Sequence, residues 1–425
     1  MAQSTSEQTK AASANFGAKG WLIIAISFFS IMYQSSIIND SLNVTIPTFA
    51  ANGFNIQVLY MFSTISAWIA VIGAIIWGAV SNVFNARIAW AASLLLTAVA
   101  SFFWGSASNN IVYFIAISAA AVGGMGFCYI ANLNVISNWF PRKKGMAMGF
   151  VTCGFPVSAS ISTPLVSGMI ASGGIKQVYT FYAIAGLVLF VVVAIFVRDY
   201  PEEVGCYPDN NRHFDMSTVK KELEEGLAYM KTSLWQPKKL FGEKKVWLIA
   251  FSLGIMELLS LGIMTNFMPR MLQSGYQTPE IIGMLAFTGL SAIIGSIGCG
   301  VLDAKVGPKK AIIITLIIAV CAIILNLIPT RPTLYLSLPF FGIMLGGAAN
   351  YLVSITNTIW GRYDFPMAFK VLKPLVAAIG ALGVSVVGVL GSTISYAVAY
   401  GVLAVLAILA LIVILFVDDS LIGRN

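Results

Sequence analysis

The sequence predicts an all-α integral membrane protein of twelve transmembrane helices, in two six-helix halves related by pseudo-two-fold symmetry. Three observations predict it. Hydrophobic residues make up 58% of the chain and charged residues only 10%, against about 25% charged in soluble domains. Apolar runs of about 18 residues or more recur along the whole length. The 25 Lys and Arg residues avoid the centres of those runs and gather on one set of alternating loops.

The runs place spans at roughly 20–46, 56–80, 88–107, 111–138, 146–172, 178–197, 246–268, 280–302, 310–328, 333–360, 371–395 and 396–417. With both termini on one side, that side collects Lys10, Lys19, Arg87, Arg142, Lys143, Lys144, Lys305, Lys309, Lys310, Arg362, Lys370, Lys373, Arg424 and nine cations between 198 and 245. Lys176, Arg270 and Arg331 are left opposite. This bias assigns both termini and the central loop to the cytoplasm of a multi-pass plasma-membrane protein. The net charge of +8 is explained by topology and anionic lipid, so nucleic acid is excluded as a partner. The polar first 19 residues run into a span too long for a signal-peptide core, so span 1 is expected to stay in the mature protein.

Cys128, Cys153, Cys206, Cys299 and Cys321 show no paired spacing, and His213 is the only histidine. No disulfide framework, metal site or cofactor is expected. Nucleophile–base constellations are absent as well, so the chain does not read as an enzyme.

Landmarks recur with an offset of about 225 residues: Trp21-Leu-Ile-Ile-Ala and Trp247-Leu-Ile-Ala, Gly123-Gly124 and Gly346-Gly347, Asn132 and Asn357, Phe140-Pro141 and Phe365-Pro366. Their common order indicates a duplication. The expected organisation is a tail at 1–19, a half at 20–197, a linker at 198–245, a second half at 246–417 and a tail at 418–425. In the linker, Asp215 or Ser217 can start a helix. Val219, Leu223, Leu227, Met230 and Leu234 follow at three- and four-residue steps, the pattern of an amphipathic helix on the inner membrane surface.

Twelve spans, a duplicated half and a long central loop resemble the major facilitator superfamily of secondary transporters. Trp139-Phe-Pro-Arg-Lys-Lys-Gly-Met-Ala-Met-Gly between spans 4 and 5 is similar to the signature of its oxalate/formate-antiporter and monocarboxylate-transporter branch. The superfamily's Gly-x-x-x-Asp-Arg-x-Gly-Arg-Lys latch between spans 2 and 3 is eroded here. Gly78-Ala-Val-Ser-Asn-Val-Phe-Asn-Ala-Arg87 has Asn82 at the acid and Asn85 at the second Gly. The second copy, Gly300 to Lys309, keeps an acid one position early at Asp303, which can pair with Lys305 or Lys309. Gly149 to Pro156 only partly resembles the Gly-rich motif of drug/proton exchangers. Gly380, Gly383, Gly388 and Gly391 give span 11 a small surface for close, changeable helix contact.

Two acids fall inside predicted spans, Asp40 and Glu257, where an ionised group costs about 2.5–3.5 kcal/mol on insertion scales. Glu257 lies about 17 Å beyond Lys245, near the middle of a core about 30 Å thick. Leaving water favours the neutral acid there, which suits a proton carrier. Asp40 lies toward the outer end of span 1, where Arg270 is its expected partner in an outer gate. Tyr33, Ser36, Asp40 and Asn43 share one face of span 1, Asn350, Ser354 and Asn357 repeat the pattern on span 10, and span 4 offers Tyr129 and Asn132. The resemblance implies that spans 1, 4, 7 and 10 line the central cavity. These residues and Ser260 are therefore expected to touch substrate, with interhelical hydrogen bonding as the alternative. The sequons at Asn39 and Asn43 fall within span 1 and are discounted.

No cation is placed deep in a span, which disfavours oxalate. The deepest, Lys373, shares a face with Lys370 near the expected cytoplasmic mouth of span 11. It can snorkel to the interface or meet an anionic substrate.

The resulting expectation is a secondary active transporter, monomeric, moving a small or amphipathic monocarboxylate by alternating access with a proton on Glu257. Alternatives are an organic anion exchanger, proton-driven drug efflux, and, from another class, a transporter-like receptor or scaffold.

Overall fold

The structure, a computed structural model, describes residues 14–213 and 215–424. Lys10 and most of the N-terminal tail lie outside the described residues. All regular structure described is helical.

Among the described residues ten helices are long and apolar enough to cross a membrane. Two of them are broken internally by a glycine with left-handed φ, Gly174 at 72° and Gly361 at 71°, a conformation side chains with a Cβ rarely adopt. Each therefore supplies two spans, which gives the expected twelve. In chain order these are α1 (Gly17–Asp40), α2 (Ile56–Val83), α3 (Ala86–Gly105), α4 (Asn110–Trp139), α5 (144–173), α6 (175–196), α7 (Lys244–Thr265), α8 (Pro279–Val306), α9 (Pro308–Leu327), α10 (331–360), α11 (362–393) and α12 (Tyr396–Leu415).

Caps explain several starts. Asn55, Asn85, Asn109, Thr330 and Ser395 each accept backbone N–H groups from the first turn of α2, α3, α4, α10 and α12. Prolines open α8 and α9 where their missing N–H costs nothing. Both α1 and α4 contain a π-turn, at Ser36–Asp40 and Met125–Ile130, of the kind that clusters at functional sites.

By its contacts the chain forms two compact units. The N-terminal unit holds Asn15–Pro141 and Val157–Tyr229. The C-terminal unit holds Arg142–Pro156 and the chain from Met230 onward. In the first, Phe49, Trp104, Tyr113 and Tyr179 form an aromatic cluster with centroid separations of 4.6–6.1 Å. In the second, Phe267, Met271, Tyr276, Ile281, Met284, Leu334 and Leu338 pack together.

The linker helix runs Met216–Thr232 with Asp215 accepting the N–H of Ser217 at 3.1 Å. Its buried side is Val219, Leu223 and Gly226. Leu234 lies beyond its end and is exposed, so the apolar stripe is shorter than the sequence spacing implies.

Candidate substrate and proton site

The C-terminal unit places Glu257 on α7 opposite Lys373 on α11. Lys373 Nζ donates to both carboxylate oxygens, at 3.2 Å and 3.1 Å. The lysine side chain is 6% exposed and the glutamate side chain 30%. Gly380, two turns along α11 from Lys373, makes this fit, since a Cβ there would come within 2.7 Å of Glu257 Cγ. Gly383 brings the α11 backbone against the Leu258 carbonyl in the same way, so the small face expected on span 11 packs against α7.

This corrects the placing of Lys373. Hydropathy starts span 11 at residue 371 and leaves the lysine at its mouth. The helix instead begins directly after the Gly361 break, which puts Lys373 about 18 Å into it and Glu257 about 20 Å into α7, at 1.5 Å per residue. The lysine is therefore a deep, paired cation rather than a snorkelling one. The premise that disfavoured anions held by a buried cation falls with it.

Asp40 and Arg270, the pair expected at an outer gate, each have partners inside their own unit. Arg270 is 7% exposed. Its guanidinium donates to the Tyr396 and Asn326 carbonyls at 3.1 Å and 2.7 Å and lies 3.6 Å over the Tyr400 ring. Those fixed acceptors lie on the turns at the ends of α9 and α12, and they hold the cation without a carboxylate. Asp40 accepts from Ser35 at 3.0 Å and from Ser158 of α5 at 2.5 Å.

The rest of the span 1 stripe is also occupied. Tyr33 donates to the Tyr182 carbonyl at 2.9 Å, Ser36 lies 2.7 Å from the Tyr182 hydroxyl, and exposed Asn43 turns back to the Asp40 carbonyl at 3.3 Å. On α10, Asn350 donates to the Ser296 carbonyl at 2.9 Å and accepts from Thr152, tying α8, α10 and the 142–156 segment together. For Tyr33, Ser36 and Asn350 the structure displays helix-to-helix bonding, the alternative weighed from sequence, whereas Asn43 bonds only its own turn. Ser260 bonds within its own helix. Asn132 is fully buried, donates to the Ser27 carbonyl at 3.4 Å, and keeps its amide oxygen without a protein donor. Ser354 and Asn357 are buried as well, and Tyr129 is half-buried.

At the inner-face latches the structure substitutes other partners. Exposed Asn82 is replaced as the acid by Asp199, just past α6, which accepts the N–H groups of Ala86 and Arg87 at 2.8 Å each. Burial pushes the Asp199 carboxyl up, against the pull of those two bonds. Arg87 reaches the Ala194 carbonyl at 2.6 Å, and Asn134 bonds Ser81 at 3.2 Å, so a neutral contact joins α2 and α4. Asp303 makes no ion pair with Lys305 or Lys309 among the described residues. It is 4% exposed and packs on Gly145, where a Cβ would collide with its carboxylate. The cation whose charge acts on it is Lys144.

Sequence reasoning also missed Asp364. This buried acid after the Gly361 break accepts from Ser233 of the linker and from the Arg424 N–H at 2.9 Å. Its partners lie 131 and 60 residues away in the chain, and no local pattern marks them. Among the described residues no cluster of three or more metal-ligating side chains occurs.

A sequence profile of the Major Facilitator Superfamily matches residues 21–368. The oxalate:formate antiporter of Oxalobacter formigenes is 26% identical over 91 residues, 21% of this chain and 22% of that protein, so the match spans about a fifth of its length. Multidrug resistance protein MdtG of Enterobacter lignolyticus (strain SCF1) is 25% identical over 342 residues, 77% of this chain and 75% of that protein. Among solved structures, the human organic anion transporter MFSD10 (TETRAN) superposes with a TM-score of 0.72 at 12% identity, over 92% of this chain and 98% of that one. The proton:xylose symporter XylE superposes with a TM-score of 0.73 at 13% identity, over 98% of both chains.

Proposed function

Because this chain belongs to the Major Facilitator Superfamily, and so is a multi-pass membrane transporter rather than an enzyme, we propose that it carries an organic monocarboxylate across the plasma membrane by proton-coupled alternating access. The solute is small or amphipathic. Both termini are cytoplasmic, and the moving parts are the two six-helix halves at 20–197 and 246–417, joined by the 198–245 linker.

The observation that carries this reading is the contact of Lys373 with both oxygens of Glu257. In the empty carrier the two charges satisfy each other. A proton arriving on Glu257, the more accessible partner, removes its charge and leaves a buried ammonium in need of an anion. A substrate carboxylate supplies it. Proton and anion each make the other's binding favourable, and the loaded site has the same net charge as the empty one. One buried cation matches one carboxylate, while a dianion brings a second charge with nothing opposite it. Ser260, Ser354 and Asn357 of the same unit are the polar contacts proposed for the rest of the solute. In the N-terminal unit, Tyr129 and Asn132, whose amide oxygen has no protein donor, are proposed substrate residues in their own right.

Anion exchange is the second reading, favoured by the local similarity to the oxalate:formate antiporter. There the substrate displaces Glu257 from Lys373 without a proton. Drug efflux is favoured by the longer similarity to MdtG.

In proteoliposomes Glu257→Gln separates the first two. It is expected to abolish uptake driven by a pH gradient while sparing carboxylate exchange, because Lys373 stays available. Uptake still driven by the gradient would sink the proton-carrier role. Stabilisation of the purified protein by cationic or neutral compounds, and by no monocarboxylate at pH 5.5 or 7.5, would move the assignment to efflux.

A further inference from the structure

We propose that Asp40 and the hydroxyl chain anchored on it form a second proton-binding site, carried wholly by the N-terminal unit and independent of Glu257's chemistry. Asp40 closes the π-turn of α1, where the N–H of Ser41 bonds the Ser36 carbonyl at 3.0 Å. The wider turn brings Ser36 and the Asp40 carboxylate to one serine-lined face of α5.

From Asp40 a continuous chain of hydroxyls leads inward. Ser158 lies 2.5 Å from the carboxylate, Ser162 lies 3.0 Å from Ser158, Ser162 donates to Ser36 at 2.7 Å, and Ser36 lies 2.7 Å from Tyr182. The Tyr182 hydroxyl can close the chain on the Ser36 carbonyl at 3.4 Å.

Each hydroxyl owns one hydrogen. Ser162 has given its hydrogen to Ser36, so when Asp40 is ionised Ser158 has a single hydrogen for two neighbours. When Asp40 carries a proton it donates to Ser158, Ser158 donates to Ser162, and every contact has a hydrogen of its own. The geometry is thus complete with one extra proton, held on the carboxylate. Because only hydroxyl hydrogens turn between the two states, the proton comes and goes without moving a helix.

No charge competes for the acid. The titratable groups on the elements packed around it are the phenols of Tyr33, Tyr113, Tyr179 and Tyr182, which ordinarily titrate near 10. The cations of α1, α5 and α6 are Lys19, Lys144 and Lys176. Lys19 and Lys176 are exposed, Lys19 is occupied with the Val204 carbonyl, and Lys144, at the N-terminal end of α5 and away from Ser158, acts on Asp303.

The test is infrared difference spectroscopy of the purified full-length protein between pH 5 and 8, reading the carbonyl stretch of protonated carboxyls. A titrating band is expected that the wild type and Glu257→Gln share and Asp40→Asn lacks, beside any band of Asp199, Asp303 or Asp364, which all three proteins have in common. Ser162→Ala leaves the carboxylate intact and returns the Ser158 hydrogen wholly to it. The band should then titrate with proton affinity lowered about tenfold, the worth of one hydrogen bond, which keeps the proposal testable if Asp40→Asn fails to fold. Titrating bands that are the same in Asp40→Asn as in the wild type, or an Asp40 band that does not move in Ser162→Ala, overturn the proposal. So does a band that responds to sodium at fixed pH.

Discussion

Asp40 and Glu257 are acids of similar strength in water, one in each half of a duplicated chain, and the structure surrounds them with different chemistry. Glu257 faces an ammonium. Asp40 faces hydroxyls that can donate to it or accept from it. A carboxylate opposite a cation cannot take a proton without orphaning its partner, so its protonation is tied to whatever anion replaces it. A carboxylate among hydroxyls has no such condition. In the proposed cycle the first couples a proton to a carboxylate, and the second holds a proton alone.

The sharpest way to break that comparison is to remove the cation. Lys373→Met leaves Glu257 without its partner and should destabilise the protein toward the low end of the roughly 3–5 kcal/mol seen when buried pairs are broken, because Glu257 is partly accessible. Monocarboxylate-dependent thermal stabilisation should fall by at least about a hundredfold in effective affinity, the worth of a charged hydrogen-bonded contact. Combining Lys373→Met with Glu257→Gln should restore stability but not binding. If monocarboxylates still stabilise the single variant, Lys373 does not hold the substrate and the two acids differ only in surroundings.

How much of this was legible in the sequence follows from where each signal resides. The spans announce themselves through runs of about 18 apolar residues, and the duplication through residues such as Gly123 and Gly346 at constant spacing, so the fold was readable. Glu257 was readable too, as an acid inside such a run. Its pairing was not, because hydropathy measures where a helix becomes apolar and not where it begins. Span 11 starts with nine residues after Gly361, three of them charged, that hydropathy assigns to a loop. Counting helical turns from that glycine is the signal that would have put Lys373 at depth. Asp199 and Asp364 stayed hidden for another reason, since each is defined by partners that only the folded chain brings near.

A smaller effect sharpens the comparison from the side of packing. Gly380→Ala adds a methyl that must displace Glu257 Cγ, at about 1–3 kcal/mol for overpacking, and tilts the carboxylate away from Lys373. Proton-driven uptake should drop about tenfold, while Gly388→Ala, whose Cβ meets only Asn266 Oδ1 at 3.3 Å, should leave it nearly unchanged. The Asp40 infrared band is expected to be identical in both. Equal loss in the two variants would mean that α11 needs smooth packing everywhere, and that Glu257's position is incidental.

The smallest expected effect guards the pH axis on which both acids are compared. Asp418, after α12, is bonded by Lys245 at 2.8 Å and by Ser420 at 2.7 Å, which hold its carboxyl well below the usual range. A depressed folded value means that this contact adds stability above the unfolded value of about 3.9 and loses it only as pH falls through the lower, folded one. Its contribution is therefore constant between pH 5 and 8. Asp418→Asn should lower the melting temperature slightly and equally across that window, as surface pairs do, and should leave the shape of the uptake profile unaltered. A profile that changes shape would place a third titrating carboxylate in the cycle, and the division of labour between Asp40 and Glu257 would no longer account for the pH response.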